Sequence, residues 1–455
     1  MASILVLAPL PFGAVSGRGR LALESSALVL LLLWTYIGWT RSCRLPPLRV
    51  VVLLAGLLLL GVTQTIPVGE DLISVVSPQS LEVRESLVPP EDARAAEEAI
   101  LQLDPATLDA PPTLSVEPRA TASALRTGAA LCALLIIAAH VARTRGLKTV
   151  VTALFFSAGF QALYGVIVVA SGHDQIWNVE KTVFLDAATG TWVNRNHFAD
   201  YLAMALPCGA ALWVTGIPRK RQPHVSWLVR TFSTQGSRNL LLLLTLVTGL
   251  AGLLVSMSRA GIGLGVAGVV AALWLCTRSR PPAARLIVVC VVVAIAAVPL
   301  IQVGADAFLN RLETSADDFK TPGSRATVWS DTARLARSFP VLGSGFGTFA
   351  SVYPQFRSPE VRYFYAHAHN DLLQFSAEGG AIGLLLLAAL LASLGRRLLG
   401  ALRGDRGVLS IGVAVGLSAA LLHSLIDFNF HLPANAATAV VLAGLLWGLP
   451  SESES

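Results

Sequence analysis

Long apolar runs alternate with short charged ones along nearly the whole chain, and that alternation sets the expected fold. Many runs approach the ~20 residues that cross ~30 Å of hydrocarbon, and a backbone in lipid must satisfy its own polar groups, so each run is expected to be a helix. The pattern gives twelve spans, at residues 3–14, 21–39, 48–66, 123–141, 147–170, 197–216, 239–256, 260–276, 286–303, 372–394, 408–425 and 434–449. The first is short and holds Pro9 and Pro11, as the core of a signal peptide would. Its amino end lacks basic residues and no small-x-small cleavage site follows, so it is read as a span.

Two polar segments interrupt the pattern and divide the chain into 1–66, 67–122, 123–303, 304–371 and 372–455. The first segment, 67–122, is acidic, and the pair Pro89 and Pro90 announces a short amphipathic helix over 91–103. Its carboxylates show no calcium-loop pattern and are read as a solvated face. The second, 304–371, lies between the ninth and tenth spans. Within it, 324–339 places Val328, Trp329, Ala333, Leu335, Ala336 and Phe339 against Arg334 and Arg337, as an amphipathic helix on a membrane surface does. Pro340 and the series Gly343, Gly345, Gly347 should end that helix and turn the chain.

Composition excludes a soluble globular protein: 54% of the 455 residues are hydrophobic, 14% are charged, and the mean hydropathy is +0.64. The net charge of +6 matters through its distribution. Alternate connections carry Arg41, Arg44 and Arg49; Arg143, Arg145 and Lys148; Arg219, Lys220, Arg221, Arg230 and Arg238; Arg278, Arg280 and Arg285; and Arg396, Arg397, Arg403 and Arg406, against a single acid, Asp405. The opposite connections carry Glu70, Asp71, Glu82, Glu85, Glu91, Asp92, Glu97 and Glu98. Basic residues near span ends stay on the cytoplasmic side, so both termini are expected there and 304–371 is expected to face outward. Cys43, Cys132, Cys208, Cys276 and Cys290 fall in or at the ends of spans, without disulfide or zinc spacing, and are read as packing residues.

Arginines in or beside apolar sequence on the outward side give the first chemical clue, because a guanidinium is costly in a membrane unless it has a partner or ligand. Arg195 stands in VNRNHFADYL, Arg259 in SMSRAGIG and Arg325 in PGSRATVW. Together they would make a cationic pocket suited to phosphate or diphosphate oxygens; singly, each could be an anchor that snorkels to water. The second clue is His367-Ala-His369-Asn370-Asp371, just before an apolar run. Asn370 or Asp371 would cap the helix that follows, with His369 near its amino end and available as a base. The alternatives are two interfacial histidines without a catalytic role, or a metal pair, for which no third convergent ligand stands in sight. Asp200, inside a span, is expected to pair with a pocket arginine, and Asp427 and His431 in DFNFHLP lie on the outer face. His140, His173 and His423 are read as structural.

The stretches VNRNHFADYLAMALP, SMSRAG, GSRATVWSDTARLARSFPVLGSGFGTF, AHAHNDLLQFSAEGGAIG and HSLIDFNFHLPANA together resemble the O-antigen ligase and O-antigen polymerase superfamily of bacterial envelope glycosyltransferases. They run in the family's order from the middle of the chain nearly to its end; the first third matches only in its plan of spans and an outer loop. The resemblance implies an all-α, GT-C-like polytopic protein of the bacterial inner membrane. It would carry out metal-independent, inverting, cofactor-free transfer from an undecaprenyl-diphosphate-linked glycan at the periplasmic face. Carried onto this chain, Arg195, Arg259 and Arg325 would hold the diphosphate and His369 would be the base, with Asn196, Asp200, Asn370 and Asp427 in support.

A polymerase would pass the glycan to another lipid-linked repeat, a ligase to lipid A core. The acidic outer loop and the NRNHF and DFNFH elements favour a polymerase of O-antigen or exopolysaccharide repeats. Flippase and chain-length regulator proteins are the implied partners, with no nucleic acid. A flippase or transporter is the alternative of another class, but such folds show repeated halves and broken helices at mid-membrane, whereas the polar residues here gather at one face.

Overall fold

The computed structural model describes residues 1–40, 45–87, 112–217, 233–303, 323–404 and 406–450. In chain order its helices are α1 (Ala2–Leu7), a 3-10 turn (Phe12–Ala14), α2 (Gly17–Thr40), α3 (Leu48–Thr65), α4 (Glu70–Val76), α5 (Pro78–Leu87), α6 (Pro118–Arg145) and α7 (Lys148–Ala170). A two-residue hairpin follows, β1 (Gln175–Ile176) antiparallel to β2 (Val179–Glu180). Then come α8 (Arg195–Thr215), α9 (Thr234–Val255), α10 (Arg259–Cys276), α11 (Pro282–Val303), α12 (Arg325–Ser338), α13 (Phe349–Phe356), α14 (Asp371–Arg403), α15 (Val408–His423), a 3-10 turn (Asn429–His431) and α16 (Pro433–Gly448).

Among the described residues eight helices are long and apolar enough to cross a membrane, and α15 and α16 are shorter apolar helices. The chain is a polytopic α-helical membrane protein. The expected first span differs: α1 has six residues, about 9 Å of helix, too little for the hydrocarbon core. Pro9 and Pro11 bring no backbone N–H to continue it, and the chain turns instead. α11 lies where the ninth span was expected. The expected helix 91–103, Cys43 and residues 304–322 lie outside the described residues.

α8 is the axis of the bundle, with 83% of its apolar window buried. It packs against α7, α9, α10 and α15, while α16 packs on α6 and α3 on α14. Pro118 and Pro433 open α6 and α16, where a missing N–H costs no hydrogen bond. A second, smaller core joins α5, α12, α13 and the start of α14 through Val83, Val328, Leu335, Phe349, Val352 and Ala377. The apolar face predicted for 324–339 is turned into this cap. Asp331, fully buried beneath it, accepts from Ser358 N (2.9 Å), Ser358 Oγ (2.7 Å) and Tyr353 Oη (3.2 Å) and pairs with Arg334 (2.7 Å).

The 33-residue α14 breaks at Gly380, whose φ of 59° and ψ of −162° no helix uses. A Cβ there would lie 2.5 Å from the carbonyl of Val341, so glycine is required for the 341–343 turn to seat against the break. Gln64 of α3 fastens the same turn, donating to Leu342 O (2.6 Å) and Glu378 O (2.9 Å) and accepting from Phe346 N (3.1 Å). Gly343, Gly345 and Gly347 all have positive φ, as the sequence led one to expect of a turn.

Candidate functional site

Arg195, Arg259 and Arg325 are each the first residue of a helix. Asn194, Ser258 and Ser324 precede them with extended backbone, and the Asn194 side chain accepts from Asn196 N at 2.8 Å. A helix amino end carries partial positive charge and exposed N–H groups, so a cation there is disfavoured by about 0.3–1 kcal/mol unless an anion is shared. α8 and α10 begin side by side, with Gly261 against Ala199. The Arg195 guanidinium lies over the Phe184 ring, 5.2 Å from its centroid.

Asp427 ties the other two elements to α8. Its Oδ1 accepts from His369 Nδ1 (3.0 Å) and Phe428 N (2.9 Å), and its Oδ2 accepts from Asn196 Nδ2 (2.9 Å) and faces Arg325 Nη2 at 3.6 Å. Arg325 also donates to Ile426 O (2.8 Å). The carboxylate is 1% exposed, whereas the His369 and Arg325 side chains keep 19% and 29% of their surface. Burial alone would raise the Asp427 pKa; the bond from His369 and the charges of His197, Arg325 and His369 outweigh it, holding the carboxyl well below the usual range.

His369 is held firmly. Its φ is 53°, rare for a residue other than glycine, its carbonyl accepts from Trp329 Nε1 (3.2 Å), and Asn370 caps α14 through Leu373 N (2.9 Å). Because a carboxylate accepts from Nδ1, the neutral ring carries its proton there and Nε2 is left as the basic nitrogen.

A second constellation stands next to it, separated by Phe428. His431 Nδ1 bonds Asp371 Oδ1 (2.7 Å), whose Oδ2 accepts from Phe430 N (3.0 Å). Gln374 accepts from Ala368 N (3.0 Å) and lies within bonding range of His431 Nε2 (2.9 Å), His367 Nδ1 (3.3 Å) and Glu378 Oε1 (3.0 Å). Glu378 also accepts from Gly347 N (2.8 Å) and Phe349 N (3.2 Å), joining α14 to the glycine turn. Burial, then the neighbouring His431 charge, pushes His367 down to about 2. Burial opposes protonation of His431 too, but the bond and charge of Asp371 and the charge of Glu378 prevail, and its pKa is raised.

The structure thus brings His369, Arg325, Asn196 and Asp427 into one network, with Arg195 beside Asn196 and Asn370 as the cap. Asp200 departs from expectation. Instead of a pocket arginine it bonds His423 Nδ1 (3.1 Å) and Asn435 Nδ2 (3.0 Å), deep among α8, α15 and α16, where both members of the His pair are about 1% exposed or less. Trp192 Nε1 completes this link through Asn435 Oδ1 (3.1 Å). His367 and His369 bond different partners, Gln374 and Asp427, and so do not act as a pair. Gln374 and Glu378 escaped notice in the sequence, although Asp371, Gln374 and Glu378 recur at the three- and four-residue spacing of one helix face.

The site is thus set in an α-helical membrane bundle, where one buried carboxylate, Asp427, holds His369, accepts from Asn196 and faces Arg325. Residues 244–388 match a family model described as O-antigen ligase (Wzy_C), from within α9 to within α14. Over these residues the chain is similar to the O-antigen ligase family, a family of glycosyltransferase enzymes. The match takes in Arg259, Arg325 and His369, while Arg195, Asp427 and His431 lie outside it. No curated protein matches the chain.

Proposed function

We infer that the protein transfers a glycan from undecaprenyl diphosphate to an acceptor hydroxyl at the periplasmic face of the bacterial inner membrane, and that it polymerises O-antigen or exopolysaccharide repeats. The observation that carries this reading is Asp427 bonded at once to His369 and Asn196 and facing Arg325. His369 Nε2 takes the proton of the acceptor hydroxyl as its oxygen attacks the anomeric carbon, and the bond to diphosphate breaks on the opposite side, inverting the centre. Arg195, Arg259 and Arg325, with the helix starts they open, neutralise the charge that grows on the departing diphosphate.

The test is His369→Ala in membranes given a lipid-diphosphate glycan. Loss of transfer with normal membrane insertion supports the base assignment; wild-type activity refutes it. The family description favours a second reading, ligation to lipid A core. A deletion strain separates the two: single repeats on lipid A core mark a polymerase, and intact polymer left on the carrier lipid marks a ligase.

A further inference from the structure

A fourth helix carries arginines in its first turn. α2 starts at Gly17, and Ser16 closes its first turn, the Oγ accepting from Gly19 N (3.1 Å) and the carbonyl from Arg20 N (2.9 Å). Arg18 and Arg20 lie in that turn. Its position is fixed from below. Gly13, with φ of 67°, sits so close to Trp192 that a Cβ would come within 2.6 Å of the indole, and Thr191 Oγ1 donates to Pro9 O at 2.7 Å. Trp192 is in turn bonded to Asn435, so the start of α2 is registered against the same frame as the candidate site.

Arg20 is half-buried and its Nε is wholly buried, yet its guanidinium makes no hydrogen bond or ion pair with any described residue. It lies close enough to His431 for its charge to oppose protonation there. The neighbouring acids are already engaged. Glu24, one turn along α2, accepts from Thr127 Oγ1 (2.6 Å) and faces Arg126 Nε (3.9 Å), and Asp371 holds His431. A buried donor without an acceptor, in a helix turn that already disfavours a cation, calls for an oxyanion from outside the chain.

We propose that Arg20, in the first turn of α2, binds a phosphate group of the acceptor, apart from the donor diphosphate assigned to Arg195, Arg259 and Arg325. The inference rests on the glycosyl-transfer reading. A row of rings joins the two places: His369 to Phe428 at 4.7 Å between centroids, Phe428 to His367 at 4.5 Å, and His367 to His431 at 4.5 Å. Acceptor sugars laid along this row, with their phosphate on Arg20, present a hydroxyl to His369. Both acceptor types carry phosphate, the lipid-linked repeat as its diphosphate and lipid A core on its sugars; an anionic phospholipid is a third source.

The experiment uses the full chain in lipid nanodiscs, with an undecaprenyl-diphosphate oligosaccharide saturating as donor. Wild type, Arg20→Gln and Arg20→Lys are compared on lipid-diphosphate repeat and the same repeat as a phosphate-free alkyl glycoside, and on lipid A core intact and dephosphorylated. Arg20→Gln is expected to raise the acceptor KM tenfold or more while the donor KM stays within twofold. Arg20→Lys, which keeps the charge without the fork, is expected in between and carries the test if Arg20→Gln does not fold. Removing the acceptor phosphate should raise the wild-type KM equally and abolish the difference between wild type and Arg20→Gln; the acceptor that responds names the source. An unchanged acceptor KM, a raised donor KM, or a difference that persists on dephosphorylated acceptor overturns the proposal. A difference that vanishes when phosphatidylglycerol is left out of the discs assigns Arg20 to a bilayer lipid and overturns it too. Absence of transfer by the wild type on either acceptor overturns the glycosyl-transfer reading as well, whereas transfer with Arg20→Gln unaffected overturns this inference alone.

Discussion

Asp427 Oδ1 meets His369 Nδ1 at 3.0 Å, across 58 residues of sequence and between two different helix ends. The carboxylate is buried and the imidazole partly open, so Asp427 holds the ring from behind, and the base role proposed for His369 depends on it. In Asp427→Asn an amide replaces the acceptor, the ring no longer has a reason to keep its proton on Nδ1, and Nε2 loses its basic role. Transfer is expected to fall roughly 10²–10⁴-fold in kcat, the range of a lost general base. Single-turnover rates measure it, and a variant within threefold of wild type removes Asp427 from the mechanism.

The buried pair of Asp200 and His423 serves the fold. Removing one partner, as in His423→Leu, leaves a carboxylate without its ion-pair partner and should cost about 3–5 kcal/mol. The double change Asp200→Leu with His423→Leu should recover much of that. Thermal unfolding of the four proteins in detergent closes the cycle; additive losses would show that the two side chains do not interact.

Much of this was legible in the chain, for physical reasons. Apolar run length is dictated by the bilayer, so the long apolar helices from α2 onward fell near their expected places, and the cap at Asn370 follows from local chemistry. The first span misled because hydropathy weighs side chains and ignores that Pro9 and Pro11 lack N–H groups. Arginines beside apolar sequence pointed to three helix starts, yet Asp200 facing His423 was invisible, since rotation of a helix about its axis depends on which neighbours it meets. The Asp427 to His369 bond was hidden likewise; sequence placed both residues on one face without joining them.

Gly380 tests the break in α14. Gly380→Ala adds a Cβ against the Val341 carbonyl at a φ of 59°, so the 341–343 turn must move and Glu378 loses its register with Gly347 and Phe349. The expected result is a fall in the unfolding midpoint together with loss of transfer. Gly395→Ala in the same helix meets open space and should be neutral or stabilising by up to about 1 kcal/mol. Equal midpoints for the two variants would falsify the claim that the break requires glycine.

His367 and His431 should pull stability in opposite directions with pH. His367 falls from 6.5 to about 2 on folding, so the unfolded chain binds its proton first, and stability is lost as pH drops below about 6.5. His431 is raised, so its contribution is complete below 6.5 and is lost as pH climbs through its folded value. His367→Asn removes the first effect and leaves the second. Unfolding midpoints measured from pH 4 to 9 should therefore decline less on the acid side in this variant than in wild type, with the alkaline limb unchanged. Transfer activity should suffer less from His367→Asn than from His369→Ala, because His367 bonds Gln374 while His369 bonds Asp427. An acid limb as steep as that of wild type would mean that His367 is protonated in the folded protein, and the buried, neutral role assigned to it would fall.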